Sequence, residues 1–231
     1  MLCEIPTGNG GRPSKSLSVQ RAQALLRAAE SSTMHAYIVV SLLTGARTEE
    51  VRALTWTNLD LVGKSKAHPV VPPSIQVWRS VRSHGDTKTC KSRRTLELAV
   101  RCVEALEEHR ERQEVRRQAV GRRWQNLSLV FTSEIGTQLD AANVRRAFRK
   151  VVKAAGLDPT MWTPRELRHS FVSLLSSKGV PIEDISRLVG QASTNVTEKV
   201  YRHELRPVLT EGATKMDEIF PGQGGKANAK P

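Results

Sequence analysis

The stretch "WTPRELRHSF", residues 162–171, sets Arg165 and Arg168 three positions apart at the head of an amphipathic pattern. Leu167, Phe171, Leu174 and Leu175 recur at helical spacing and predict a buried stripe, and Pro164 sits where a proline opens a helix. The two arginines share the face beside that stripe. Guanidiniums so placed repel each other unless something negative lies between them. Two readings fit these residues: an exposed basic helix edge, or a clamp for an anion.

Outward from this stretch the helical texture continues. Residues 18–30 place Ala22, Leu25, Leu26 and Ala29 on one face, and a more apolar helix follows over 34–43. Gly45 interrupts, and "RTEEVRAL" reads as a short helix. From 59 to 98 the pattern changes, because "SIQVWRSV" and "RRTLELAV" alternate and carry β-branched residues between polar turns. Residues 99–118, 140–154, 164–178, 181–190, 194–204 and 207–219 return to helical periodicity. Pro181 stands at a helix start, and Gly156, Gly179 and Gly190 stand at helix ends. The expected class is mainly α with a small antiparallel β-sheet insertion (α+β). Residues 1–16 read as a flexible linker, 17–220 as one domain, and 221–231 ("PGQGGKANAKP") as a disordered tail.

Charge narrows the function classes. The 231 residues carry 36 Lys+Arg against 23 Asp+Glu, a formal net charge of +13. Such an excess favours a polyanion, because cations that neutralise phosphates release condensed counterions. Neither a lipidation signal nor a basic helix with an aromatic apolar face points to a membrane, and no secretion signal is expected at the N-terminus. Cys3, Cys90 and Cys102 are odd in number and lack C-x-x-C spacing, which argues against a disulfide framework and a zinc site and fits a reducing cytoplasm.

Three further constellations carry chemistry. In "TGARTEEVRAL", Arg47 shares a face with Val51 and Leu54, and an inward arginine is costly unless it is paired, as with Glu50, or holds an anion. In "GDTKTCKSRRTLEL", Lys88, Lys91, Arg93 and Arg94 crowd a hairpin. They form either a solvated basic loop or a surface pressed into a DNA groove, where a lysine could protonate a leaving oxygen. Of the two tyrosines, Tyr37 lies in apolar "MHAYIVV", whereas Tyr201 lies among Glu198, Lys199, Arg202 and His203 and is reachable. The segment around residues 180–203 also has the outline of a helix-turn-helix, which would make a DNA reader without chemistry.

Taken in order, "TGARTEEVRAL", "TKTCKSRRTLEL", "RELRHSF" and "LVGQAS" with "VYRH" resemble the catalytic domain of the tyrosine recombinases, the family of phage integrases and Xer-type resolvases. The resemblance implies that Arg47 and Arg168 are the two catalytic arginines, that Tyr201 is the nucleophile and that Glu50 orients the arginines. Lys88 matches the hairpin lysine, with Lys91 near enough to leave the register open. It implies strand cleavage and rejoining of double-stranded DNA through a 3′-phosphotyrosyl link, without metal or cofactor. It also implies a homo-tetramer on two DNA sites, a bacterial or phage origin, a DNA-clamping domain ahead of residue 17 and a helix at 207–219 that docks on a neighbouring protomer. Two positions depart from the pattern: Arg165 replaces a histidine, and Gln191 replaces a histidine or tryptophan. Arginine cannot accept a proton, although both residues can donate hydrogen bonds to phosphate. The alternatives are a DNA-binding protein, as a helix-turn-helix regulator or a catalytically impaired relative, and a type IB topoisomerase.

Overall fold

The computed structural model describes residues 15–78, 80–81, 93–190 and 211–222. The expected linker up to residue 14, the tail from 223 and the second helix of the helix-turn-helix reading lie outside them. Eight α-helices and three strands are present among the described residues: α1 Val19–Ala29, α2 His35–Thr44, α3 Thr48–Arg52, β1 Leu59–Asp60, β2 Ser74–Val77, β3 Arg94–Glu97, α4 Val100–Val120, α5 Ala141–Ala154, α6 Arg165–Ser177, α7 Ile182–Val189 and α8 Glu211–Ile219. The mainly helical class with an inserted antiparallel sheet is the observed one, and most helix ends fall within two residues of the expected places.

The α2 helix is the centre of the domain. Every residue from Ala36 to Thr44 is buried, as expected of a helix that is apolar all round, and α1, α3, α4, α6 and α8 pack against it. It stops at Gly45, whose backbone is left-handed at φ 61°. A Cβ there would lie 2.5 Å from the Phe171 ring on α6, so α2 and α6 approach too closely for any larger residue.

The stripe read from the sequence on α6 is the buried one, with Leu167, Phe171, Leu174 and Leu175 all inside. At its head Glu166 accepts from the Thr163 N–H and hydroxyl at 2.8 and 2.5 Å. Ser170 accepts from the Leu17 N–H at 2.8 Å, which ties the chain before α1 to α6. These contacts fix the helix that carries Arg168.

The sheet order is β1-β2-β3, antiparallel, with Ile75 opposite Leu96 and Val77 opposite Arg94. Ile75, Val77 and Leu96 join the core. The sheet is shorter than "SIQVWRSV" suggested, since β2 ends at Val77 and Trp78 is partly exposed. Unread in the sequence was the segment between α4 and α5, where Thr55 pairs with Leu129 and Thr132 with Gln138. Buried His109 and Gln113 on α4 anchor it, both bonding the Val130 carbonyl.

The α8 helix lies within the 207–219 expected to be helical. It packs on its own chain, with Ala213, Met216, Ile219 and Phe220 buried against α2, α6 and β3. Asp217 accepts from the Val100 N–H at 2.9 Å, at the first turn of α4. No helix among the described residues is long and apolar enough to cross a membrane.

Candidate active site

The site is assembled where the Gly45 turn, the start of β3 and the end of α7 meet. Just past Gly45, Arg47 takes an extended backbone and caps α3. Its N–H donates to Glu50 Oε2 at 2.7 Å, which is one half of a capping box, and its Nη1 donates to Glu50 Oε1 at 2.8 Å. Arg47 Nη2 reaches the Gly190 carbonyl at 3.2 Å.

Arg168 comes from one turn into α6 and reaches the same place. Its Nη1 donates to the Gly45 carbonyl at 2.7 Å and its Nη2 to the Val189 carbonyl at 2.6 Å. Val189 and Gly190 close α7, where carbonyls have no intrahelical partner and carry the negative end of the helix dipole. The two guanidiniums therefore satisfy adjacent carbonyls and converge on one spot. Burial first, then the Arg47 and Arg94 charges, push the Arg168 guanidinium down to about 9, so it remains protonated at neutral pH.

Beneath them lies Glu50, with only 2% of its side chain exposed. Burial would raise its carboxyl, but the Arg94 charge and the hydrogen bonds from Arg94 and Arg47 outweigh that and hold it below the ordinary glutamate range. It is an ionised carboxylate under a cationic floor. Among the described residues the bonds of Arg47 and Arg168 use two of the five N–H donors on each guanidinium. The rest are available to an anion such as a phosphodiester.

Several sequence-derived positions are placed differently from one another. Arg47, Glu50 and Arg168 come together. Arg165 does not share Arg168's environment: it is exposed at the first position of α6. Burial and the Arg165 charge together hold the neighbouring His169 below the usual imidazole range. Arg93 is exposed, whereas Arg94, expected on a DNA-pressing surface, is 4% exposed and forms an ion pair with Glu50. That correction has a simple cause, since Arg94 lies two residues from Leu96 on β3, on the same face of the sheet, and both are buried. Lys88, Lys91, Gln191 and Tyr201 lie outside the described residues.

The sequence reading missed a second cationic feature. On α5 the side chains of Arg145, Arg146, Arg149, Lys150 and Lys153 are exposed, while Val144, Phe148, Val151 and Val152 form the buried face. The signal was present in "NVRRAFRKVVK", a cationic face opposite an apolar one. Among the described residues no group of three His, Cys, Asp or Glu side chains is placed to hold a metal ion.

The protein is strongly basic and mainly helical, and it holds two arginines by a buried carboxylate and backbone carbonyls with guanidinium donors to spare. Comparison with known proteins gives the family: residues 15–206 match the model described as the phage integrase family, and the chain belongs to it. An integrase of Streptomyces ambofaciens is 60% identical over 220 residues, covering 95% of this chain and 57% of that protein. The chain thus spans little more than half the length of that relative. The crystal structure of XerA recombinase aligns with 82% of this chain and 59% of its own at a TM-score of 0.60 and 26% identity. The Tn1549 transposon integrase, solved in complex with transposon right end DNA, shares the fold at a TM-score of 0.63 and 18% identity, covering 93% of this chain and 69% of that one.

Proposed function

We infer that this chain is the catalytic domain of a site-specific DNA recombinase that cuts and rejoins DNA through Tyr201. The observation that carries the reading is the convergence of Arg47 and Arg168 on the α7 terminus over buried Glu50. Two guanidiniums fixed in advance suit a phosphodiester whose charge grows as phosphorus becomes five-coordinate. The homologous integrase bound to DNA and the net charge of +13 support duplex DNA as the partner.

In this reading the Tyr201 oxygen attacks phosphorus and the bond to the 5′ oxygen breaks. Lys88 gives that oxygen its proton, leaving a 3′-phosphotyrosyl link and a 5′-hydroxyl that can attack a partner strand. The proton of Tyr201 goes to a group other than Arg165, because a guanidinium offers no acceptor. Bond energy is retained in the covalent link, so the step uses neither ATP nor metal. Arg165, Gln191, Lys91 and Arg93 contribute donors to the DNA backbone, and the exposed face of α5 adds a longer-range contact. Action as a tetramer on two sites follows from strand exchange, which pairs two cut duplexes.

The test is a pool of nicked duplexes randomised over the cleavage region, mixed with the protein and run on denaturing gels. A covalent band that disappears in Tyr201→Phe while native-gel retention persists supports the recombinase. Retention without any covalent band supports a DNA binder instead. In Lys88→Ala the band is expected to return with a 5′-bridging sulfur substrate, whose leaving group needs no proton.

A further inference from the structure

Arg94 has no part in the reading above beyond the DNA contact that its burial removes. It is 4% exposed and sits at the first position of β3, opposite Val77 on the sheet's central strand. A cation so deeply placed is costly unless its partner is equally fixed. Its charged partners among the described residues include Glu50, which receives Arg94 Nη1 at 3.2 Å on Oε1 and Arg94 Nη2 at 2.9 Å on Oε2.

The bonds to Glu50 complete a full set. Oε1 accepts from Arg47 Nη1 and Arg94 Nη1, and Oε2 from the Arg47 backbone N–H and Arg94 Nη2. A carboxylate has about four lone-pair sites, and here all four are filled. Two consequences follow. Glu50 can offer the Arg47 side chain only one bond, so the guanidinium meets the carboxylate through Nη1 alone, spends Nη2 on the Gly190 carbonyl and stays one-third exposed rather than folding onto the carboxylate bidentately. The Arg94 charge also balances the Glu50 charge, which leaves the charges of Arg47 and Arg168 for the phosphate.

We propose that Arg94 is a positioning residue for the recombination site: by occupying half of Glu50 from below, it sets the orientation and the charge with which Arg47 meets the scissile phosphate. The inference rests on the recombinase reading for its consequence but not for its geometry. Arg47 from α3, Arg168 from α6 and Arg94 from β3 are the charged groups acting on Glu50 among the described residues. Arg94 supplies the largest of the influences that keep the carboxyl ionised.

The test uses the whole chain with Arg94→Met, Arg94→Lys and the double variant Arg94→Met/Glu50→Gln. Three readouts are followed: carbon-detected NMR titration of the Glu50 carboxyl, native-gel affinity for a nicked duplex pool, and the single-turnover rate of adduct formation. In Arg94→Met the Glu50 midpoint is expected to rise above its wild-type value, the adduct rate to fall about 10- to 100-fold with an added acidic limb in its pH profile, and duplex affinity to hold. Arg94→Lys keeps the charge, so it should show no acidic limb while recovering only part of the rate. The double variant removes the buried unpaired carboxylate and should recover thermal stability without recovering the rate.

An unchanged Glu50 midpoint in Arg94→Met overturns the proposal. So does weaker duplex binding with a smaller salt slope, which would make Arg94 a phosphate contact. Recovery of both stability and rate in the double variant also overturns it, because Arg94 would then only offset a buried charge. Should Arg94→Met fail to fold, Arg94→Lys and the double variant decide by the same criteria. If wild type forms no adduct, the recombinase reading fails while the Glu50 titration still decides the role of Arg94.

Discussion

The arginines around Glu50 and the cations of α5 carry the same kind of charge and are held in opposite ways. Arg47, Arg94 and Arg168 are tied to a buried carboxylate or to backbone carbonyls. On α5, Arg145, Arg149, Lys150 and Lys153 are exposed, and Arg146 bonds only a neighbouring asparagine, Asn143, among the described residues. A fixed guanidinium costs no reorganisation when charge develops on a phosphate, so it acts on the barrier. A solvated cation gains mainly by counterion release, so it acts on affinity. Position, not charge count, separates a site from a surface.

The largest expected effect comes from removing a fixed group. Arg168→Ala should slow adduct formation at saturating DNA by about 3 to 4 kcal/mol of barrier, with a much smaller change in affinity. Comparable losses in both quantities would erase the distinction between the two regions.

The next tests the seat rather than the guanidinium. Gly45→Ala places a methyl 2.5 Å from the Phe171 ring at a left-handed backbone position, and Gly45 supplies a carbonyl to Arg168. A destabilisation of about 1 to 3 kcal/mol is expected in denaturant melts, together with a slower adduct rate. A full-rate Gly45→Ala protein would mean that the carbonyl does not matter.

Lys150→Ala addresses the other region. Duplex affinity should fall and the salt slope should shrink by about one, while the adduct rate at saturating DNA is unaltered. A lower saturated rate would place α5 within the chemistry.

The smallest effect is on pH. Because the folded-state carboxyl of Glu50 lies below its unfolded value, its contribution is fully present above the unfolded pKa of about 4.3 and is lost as pH falls through the folded value. Melting temperature should therefore drop more on acidification in wild type than in Glu50→Gln. Parallel curves would show that the carboxyl is not held down.

Much of the fold was legible because periodicity and punctuation agreed. The stripes Ala22, Leu25, Leu26, Ala29 and Leu167, Phe171, Leu174, Leu175 are the buried faces of α1 and α6, and Gly45 ends α2 as its position suggested. The pairing of Arg47 with Glu50 was also within reach, since three residues separate them on one helical turn. The place of Arg94 in a run of charges hides its burial, which follows from the face of β3 that it shares with Leu96. The partners of Arg168 could not have been read at all: they are the carbonyls of Gly45 and Val189, and every residue has a carbonyl. Nor could the sequence separate Arg165 from Arg168, which differ in burial through their place on α6 rather than in kind.

The central claim is that the site arginines are in place before DNA arrives. It is tested most directly by nitrogen-15 NMR of the guanidinium groups in the DNA-free protein. Separate, slowly exchanging Nη signals are expected for Arg47, Arg94 and Arg168, and a single averaged signal for each of Arg145 and Arg149. Averaged signals for all five would contradict it, because the guanidiniums around Glu50 would then be as unfixed as those on the surface.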